Sequence, residues 1–171
     1  MAFSLLAKRN HPEPFFYQAI IWQVNFKEKI YPYILAAIQL SSLVFILVSA
    51  PGIAMDYGGM LVECAGLFLG LLAVFQMGIG NFNITPRLKN GGVFVSSGIY
   101  SIIRPPMYLA QLVFLIPLVI DYFTYLRLAV WLLLLFVLFL KMNFEEKSLA
   151  SHFEGYSEYM EKTRRLVPFI Y

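Results

Sequence analysis

Two groups of polar residues stand out in this apolar chain, and their types suit ligand binding. The first runs Gly98-Ile-Tyr100-Ser-Ile-Ile-Arg104-Pro105-Pro106-Met107-Tyr108; the second is Glu145-Glu146, with Lys141 just ahead of it. Carboxylates accept hydrogen bonds from cationic donors, a guanidinium holds anions, and tyrosines can wall a pocket. One group sits just before an apolar run and the other just after the next. The hydrophobic hairpin between them returns to the side it left, whether it crosses a bilayer twice or only dips into it. The two groups are therefore expected to meet at a membrane surface.

The elements that would position them follow from composition. Hydrophobic residues make up 60% of the 171-residue chain and charged residues 13%, against roughly half and a quarter in soluble domains. The sequence predicts an all-α membrane protein of one domain, with about four transmembrane helices, an interfacial helix ahead of them and a cytoplasmic amphipathic helical tail. Apolar segments fall at residues 30–50, 58–80, 107–125 and 126–142. The first would be about 31 Å long as a helix, enough to cross a hydrocarbon core. The expected organisation is an arm (1–29), a first hairpin (30–80), a cytoplasmic loop (81–106), a second hairpin (107–142) and a tail (143–171). No cleavable signal peptide is expected, because Lys8-Arg9 follow the short apolar start instead of preceding it.

Charge sets the expected orientation. Of the 13 basic residues, only Arg127 falls opposite the arm, the middle loop and the tail. The positive-inside rule then places both termini in the cytoplasm, in a bacterial inner membrane or endoplasmic reticulum. The arm mixes Phe15, Phe16, Tyr17, Ile20, Ile21 and Trp22 with charges and reads as a helix lying in the interface. The tail repeats Leu149, Phe153, Tyr156 and Tyr159 at near-helical spacing, broken at Gly155. It is expected to fold back over the membrane face.

Single residues carry both plain and sharper readings. Gly66-Leu-Phe-Leu-Gly70 lets helix backbones approach closely, within the bundle or in a homodimer. Glu63 can snorkel to the far interface as a structural group, and Gln76 and Gln111 are expected to bond across helices. Cys64 is expected to be a small buried residue. His11 and His152 lack partners at metal-ligand spacing, so no metal site is expected. Gly91-Gly92 is either a turn or a place where backbone groups reach a flat heterocycle. Pro105-Pro106 marks the start of the third helix, whose first-turn N–H groups would face the cytoplasmic side.

Taken together, Gly98-x-Tyr100-x-x-x-Arg104-x-Pro106-x-Tyr108, Glu145-Glu146-x-x-Leu149, Phe153, Tyr156, Tyr159 and Arg165-x-x-Pro168 resemble the isoprenylcysteine carboxyl methyltransferase family. Phospholipid methyltransferases share the pattern, and the resemblance covers residues 81–171. It implies methyl transfer from S-adenosyl-L-methionine to a lipophilic or membrane-delivered acceptor, such as a prenylcysteine-like carboxylate. Carried over by position, Gly92, Val93, Phe94, Val95, Tyr100, Pro105, Pro106, Met107, Tyr108 and Glu145 would contact the cofactor, and Lys141 the acceptor. Two positions depart from the family: Pro105 replaces a histidine, and Lys141 replaces an arginine, keeping the charge but losing the bidentate fork.

Direct transfer needs no protein nucleophile; aligning the reactants can supply about 7–11 kcal/mol of the barrier. In this reading Glu145 holds a cationic or donor part of the cofactor, Arg104 binds its carboxylate end or braces Glu145, and Lys141 orients an anionic acceptor. The bilayer and a lipophilic substrate are the expected partners, and no nucleic acid is. Two other readings compete: a membrane reductase using NADPH, and a non-catalytic membrane protein with a decayed cofactor site.

Overall fold

The computed structural model describes residues 30–78, 95–153 and 155–165. The arm and its interfacial helix, and most of the middle loop, lie outside the described residues. Five α-helices are present among them. Helix α1 is Tyr31–Ser49 and has Pro32 in its first turn, where no N–H partner is needed. Helix α2 is Tyr57–Met77; the Asp56 side chain caps it by accepting from the N–H groups of Gly58 and Gly59. Helix α3 is Pro106–Asp121, starting at the predicted proline, and α4 is Tyr125–His152, capped by the Thr124 hydroxyl accepting from Arg127 N–H. A short α5, Tyr156–Lys162, follows Gly155, whose φ of +86° suits glycine.

Helices α1, α2 and α4 are long and apolar enough to cross a membrane; α3 is a shorter apolar helix. This is the signature of a membrane-associated protein. Outward faces carry Val44 and Val48 on α1, Leu61 and Phe68 on α2, and Phe136 on α4, all exposed, as lipid requires of a spanning bundle. The 16 residues of α3 give about 24 Å of helix, and the 28 residues of α4 about 42 Å.

That length corrects the sequence reading at one place. The fourth helix does not end near residue 142 with the two acids opening a tail. After Met142 the chain runs Asn-Phe-Glu-Glu-Lys-Ser-Leu-Ala, free of glycine and proline and rich in helix-forming residues, so α4 continues to His152. Counting about 20 residues to cross the core from Tyr125 puts Glu145 and Glu146 just at its far end.

Packing pairs α2 with α3 and α1 with α4, with a thinner α3–α4 seam. Ile46, Leu112, Leu115, Leu118, Leu134, Leu138 and Met142 form the core. The α2–α3 seam depends on Gly66, where an added Cβ would lie 2.6 Å from Phe114 N and 2.8 Å from its Cα. Gly66 thus serves close packing inside the chain. Gly70 is looser, an added Cβ sitting 3.5 Å from Ala110 Cβ. Cys64 is exposed, not buried: α2 turns Glu63, Gly66 and Ala73 inward, and Cys64 falls on the outer side.

At the end away from the acids, the turns are tied by polar bonds. Asp121 accepts from Met55 N–H at 2.7 Å, Tyr122 Oη donates to Ile53 O, and Arg127 donates to Ser49 O at 2.6 Å and to Ser49 Oγ at 3.1 Å. Arg127 therefore neutralises the carbonyl end of α1. Glu63 joins this end as a structural group, its Oε2 accepting from Ala54 N–H.

Gly66→Ala is expected to force α2 and α3 apart, at a cost of about 1–3 kcal/mol, while Gly70→Ala is tolerated. Thermal denaturation of both variants in detergent checks this: the midpoint should fall for the first and hold for the second.

Candidate functional site

The middle segment is built onto α2 before α3 begins. Gly98 has φ +62° and lies so close to the Gln76 amide that no side chain fits. The Gln76 carbonyl accepts from Ile99 N–H at 2.7 Å, holding a 3₁₀ turn, Gly98–Ser101. Gln76 thus bonds to a backbone turn, where a bond across helices was expected. Tyr100 is buried in this turn and donates its hydroxyl to Ala73 O of α2 at 3.3 Å. Strand β1, Ile103–Arg104, follows, and then Pro105 turns the chain into α3.

The tail returns to this segment. Beyond α5, strand β2, Arg164–Arg165, pairs parallel with β1 in the register Ile103↔Arg164 and Arg104↔Arg165. Tyr159 Oη donates to Tyr100 O at 2.5 Å, and Thr163 Oγ1 donates to Tyr159 O. Burial pushes the Tyr159 hydroxyl up to about 12 and raises those of Tyr100 and Tyr156 further. All three stay protonated and able to donate at neutral pH.

The two acids of α4 point to different partners, as adjacent helical residues about 100° apart must. Glu145, half-buried, accepts from Tyr108 Oη at 2.5 Å across the α3–α4 seam. Glu146, buried, pairs with Arg165 through both carboxylate oxygens and lies 3.8 Å from Arg104 Nη1. The register sets two guanidiniums side by side, and Glu146 is the acid that relieves their repulsion. Arg104 is 7% exposed and also donates to Thr163 O at 3.4 Å, with its guanidinium 5.5 Å from the Tyr159 ring. Its Nε and Nη1 have no hydrogen-bond acceptor among the described residues.

This arrangement corrects one role: Arg104 does not brace Glu145. It is held by Glu146 and the tail instead. Tyr108, Glu145 and Lys141 do come together, with Lys141 Nζ 5.3 Å from the Tyr108 ring centroid. Lys141 is only 3% exposed and donates to Gln39 Oε1. Pro106 is buried, and Met107 packs on the core, so its side chain serves the bundle. Val95 lies at the edge of the described segment, while Gly92, Val93 and Phe94 lie outside it. An open cleft of about 300 Å³ adjoins the tail, lined by Ser96, Ser101, Glu158, Tyr159, Lys162 and Thr163.

Two side chains escaped the sequence reading: Arg165 as Glu146's partner, and Gln39, which bonds Gln111 across helices as expected of the latter. An uncharged amide inside an apolar span was the available signal for Gln39. The Arg165 contact depends on the Gly155 turn and carries no local mark. A carboxylate at the position of Glu145 is the kind of group that a cationic ligand needs. Glu145 has a carboxylate with one oxygen engaged by Tyr108 and, among the described residues, no bond to the other. No family model, curated protein or solved structure matches this chain. The methyltransferase reading therefore rests on the residues and their placement.

Glu146→Gln is expected to weaken tail docking by about 2–4 kcal/mol, because the buried Arg104 and the half-buried Arg165 lose the acid between them. Trypsin cleavage between residues 162 and 165 in detergent should speed up sharply. Glu158→Gln, which breaks only the exposed pair with Lys162, should leave the rate unchanged.

Proposed function

We propose that this chain is an integral membrane methyltransferase that uses S-adenosyl-L-methionine at the cytoplasmic face and methylates a lipophilic acceptor. A prenylcysteine-like carboxylate is the acceptor that best suits the charge of Lys141. The observation that carries this reading is the contact between Tyr108 and Glu145. It joins, 37 residues apart, the two halves of the motif that resembles the isoprenylcysteine carboxyl methyltransferase family.

When bound, the cofactor supplies a methyl group on a positively charged sulfur. The chain's own residues would do the rest. Tyr108 donates to Glu145 and fixes its orientation, leaving the second carboxylate oxygen for a cationic or N–H group. The Pro105-Pro106 start of α3 sets Tyr108 in the first turn of the helix. Lys141 offers a fixed positive charge to an anionic acceptor arriving from the bilayer. An acceptor carboxylate is already ionised at neutral pH and would need no general base. Arg104 is a positioning residue here: paired with Glu146, it holds the tail against the segment that carries Tyr100. A dinucleotide reductase would need phosphate contacts, and the buried Arg104 faces Glu146 as an ion pair.

Titration of the purified protein in detergent with S-adenosylhomocysteine tests the assignment. Saturable binding is expected, weakened at least tenfold in Glu145→Ala, the loss expected for a charge-assisted bond of about 1.5–3 kcal/mol. Absent binding, or binding indifferent to Glu145, sinks the reading. Pro105→His should tighten binding by restoring a polar partner. For the orientation, a membrane-impermeant thiol reagent should label Glu158→Cys, on a Cys64→Ala background, only when the cytoplasmic face is opened; labelling from the outer face would reverse the topology.

A further inference from the structure

A polar seam runs through the bundle beside Tyr108 and Glu145, and one end of it lies in the half of the chain that carries no motif. Lys141 Nζ of α4 donates to Gln39 Oε1 of α1 at 2.7 Å. Gln39 Nε2 donates in turn to Gln111 Oε1 of α3, also at 2.7 Å. Each of the three helices contributes one member. Lys141 and Gln39 are 3% and 6% exposed, so neither is a surface group reaching for water.

The direction of the seam is fixed by chemistry. An ammonium has only donors, so it must meet the oxygen of the Gln39 amide. That turns the Gln39 NH₂ group toward α3, where the Gln111 oxygen accepts it. A cation inside an apolar bundle loses its hydration and persists only if the protein supplies acceptors or opposite charge. Among the described residues, the titratable groups facing Lys141 are Glu145, one turn on along the same helix, and Tyr108 on α3, which presents its ring. Helix α1 presents no charge: its buried residues are Pro32, Leu35, Ala36, Gln39, Ser42 and Ile46. Gln39 is thus the strong acceptor that the first hairpin brings to the ammonium.

We propose that Gln39 is a positioning residue. Its side-chain carbonyl keeps Lys141 charged and fixed against the Tyr108 ring, on the side where the acceptor's anionic group is received. This makes the first hairpin part of the site and not merely its scaffold. The acceptor-side role rests on the methyltransferase reading; the hold on Lys141 stands without it.

The test is NMR of the full chain in detergent micelles, labelled with lysine carrying ¹³C at Cε and ¹⁵N at Nζ. Lys141 is assigned by the signal lost in Lys141→Arg. In Gln39→Leu the Lys141 titration midpoint should drop by about one pH unit or more, since a bond to the charged form favours that form. In Gln39→Glu it should rise, because a carboxylate replaces the amide. An unchanged midpoint in the leucine variant overturns the proposal. Should that variant fail to fold, the glutamate variant decides: a raised midpoint supports the proposal and an unchanged one overturns it. Titration with S-adenosylhomocysteine separates the two levels. Both variants should keep the wild-type affinity within about threefold, and a larger loss overturns the acceptor-side assignment. A wild type that binds none removes the methyltransferase reading while the shifts at Lys141 remain to be seen.

Discussion

Two carboxylates adjacent on one helix point about 100° apart, and the end of the bundle that carries Glu145 and Glu146 is organised by that divergence. Glu145 turns into the α3–α4 seam and takes the Tyr108 hydroxyl; Glu146 turns outward to two arginines from distant parts of the chain. The first contact brings a motif segment to the helix that carries the acids. The second draws the last described residues back onto that segment. Without Glu146 the parallel register of β1 and β2 would oppose Arg104 to Arg165 with no charge between them, an arrangement that a low-dielectric environment penalises heavily.

Helix length is what makes this divergence useful. With α3 at 16 residues and α4 at 28, the second hairpin is lopsided. The extra turns of α4 carry Glu145 and Glu146 out of the apolar layer to the level at which α3 begins. The prolines that start α3 then place Tyr108 at the same height. Arg127 and Asp121 do the corresponding work at the opposite end, tying α4 to α1 and α3 to the α1–α2 turn. The bundle is thereby pinned at both ends by polar bonds while its middle relies on leucine packing and on the bare surface of Gly66.

Much of this was legible in the chain. Long apolar runs, Pro51-Gly52, and the Pro105-Pro106 pair delimit the helices, because breakers act locally. The meeting of Tyr108 with the Glu145-Glu146 pair follows from hairpin topology alone. What escaped was set by side-chain direction and tertiary closure. Which of two adjacent acids faces Tyr108 depends on helix phase, and phase is hard to fix in a segment apolar on every side. Arg165 reaches Glu146 only after a left-handed turn at Gly155 and a short helix, so their pairing has no fixed sequence spacing. Residue 142 looked like a helix end because hydropathy falls there, but hydropathy reports the membrane boundary and not the backbone; α4 ignores it.

The same distinction bears on how the site would be reached. The polar groups at this end fall into two sets that share no hydrogen bond among the described residues. One set, Tyr108, Glu145, Lys141, Gln39 and Gln111, lies among the helices, with Tyr108, Lys141 and Gln39 buried and Glu145 and Gln111 half-buried. The other, Arg104, Glu146, Arg165, Thr163 and Tyr159, binds the tail. A water-borne cofactor and a lipid-borne acceptor approach from different solvents, and a protein serving both needs one polar surface turned to each. The inner set sits in the bundle, where an acceptor would come from lipid. The outer set borders the open cleft, where a soluble molecule would come from the aqueous side. Tyr108 and Glu145 stand where the two sets approach each other, at the end of the apolar layer. That is where transfer between molecules from the two solvents would have to occur.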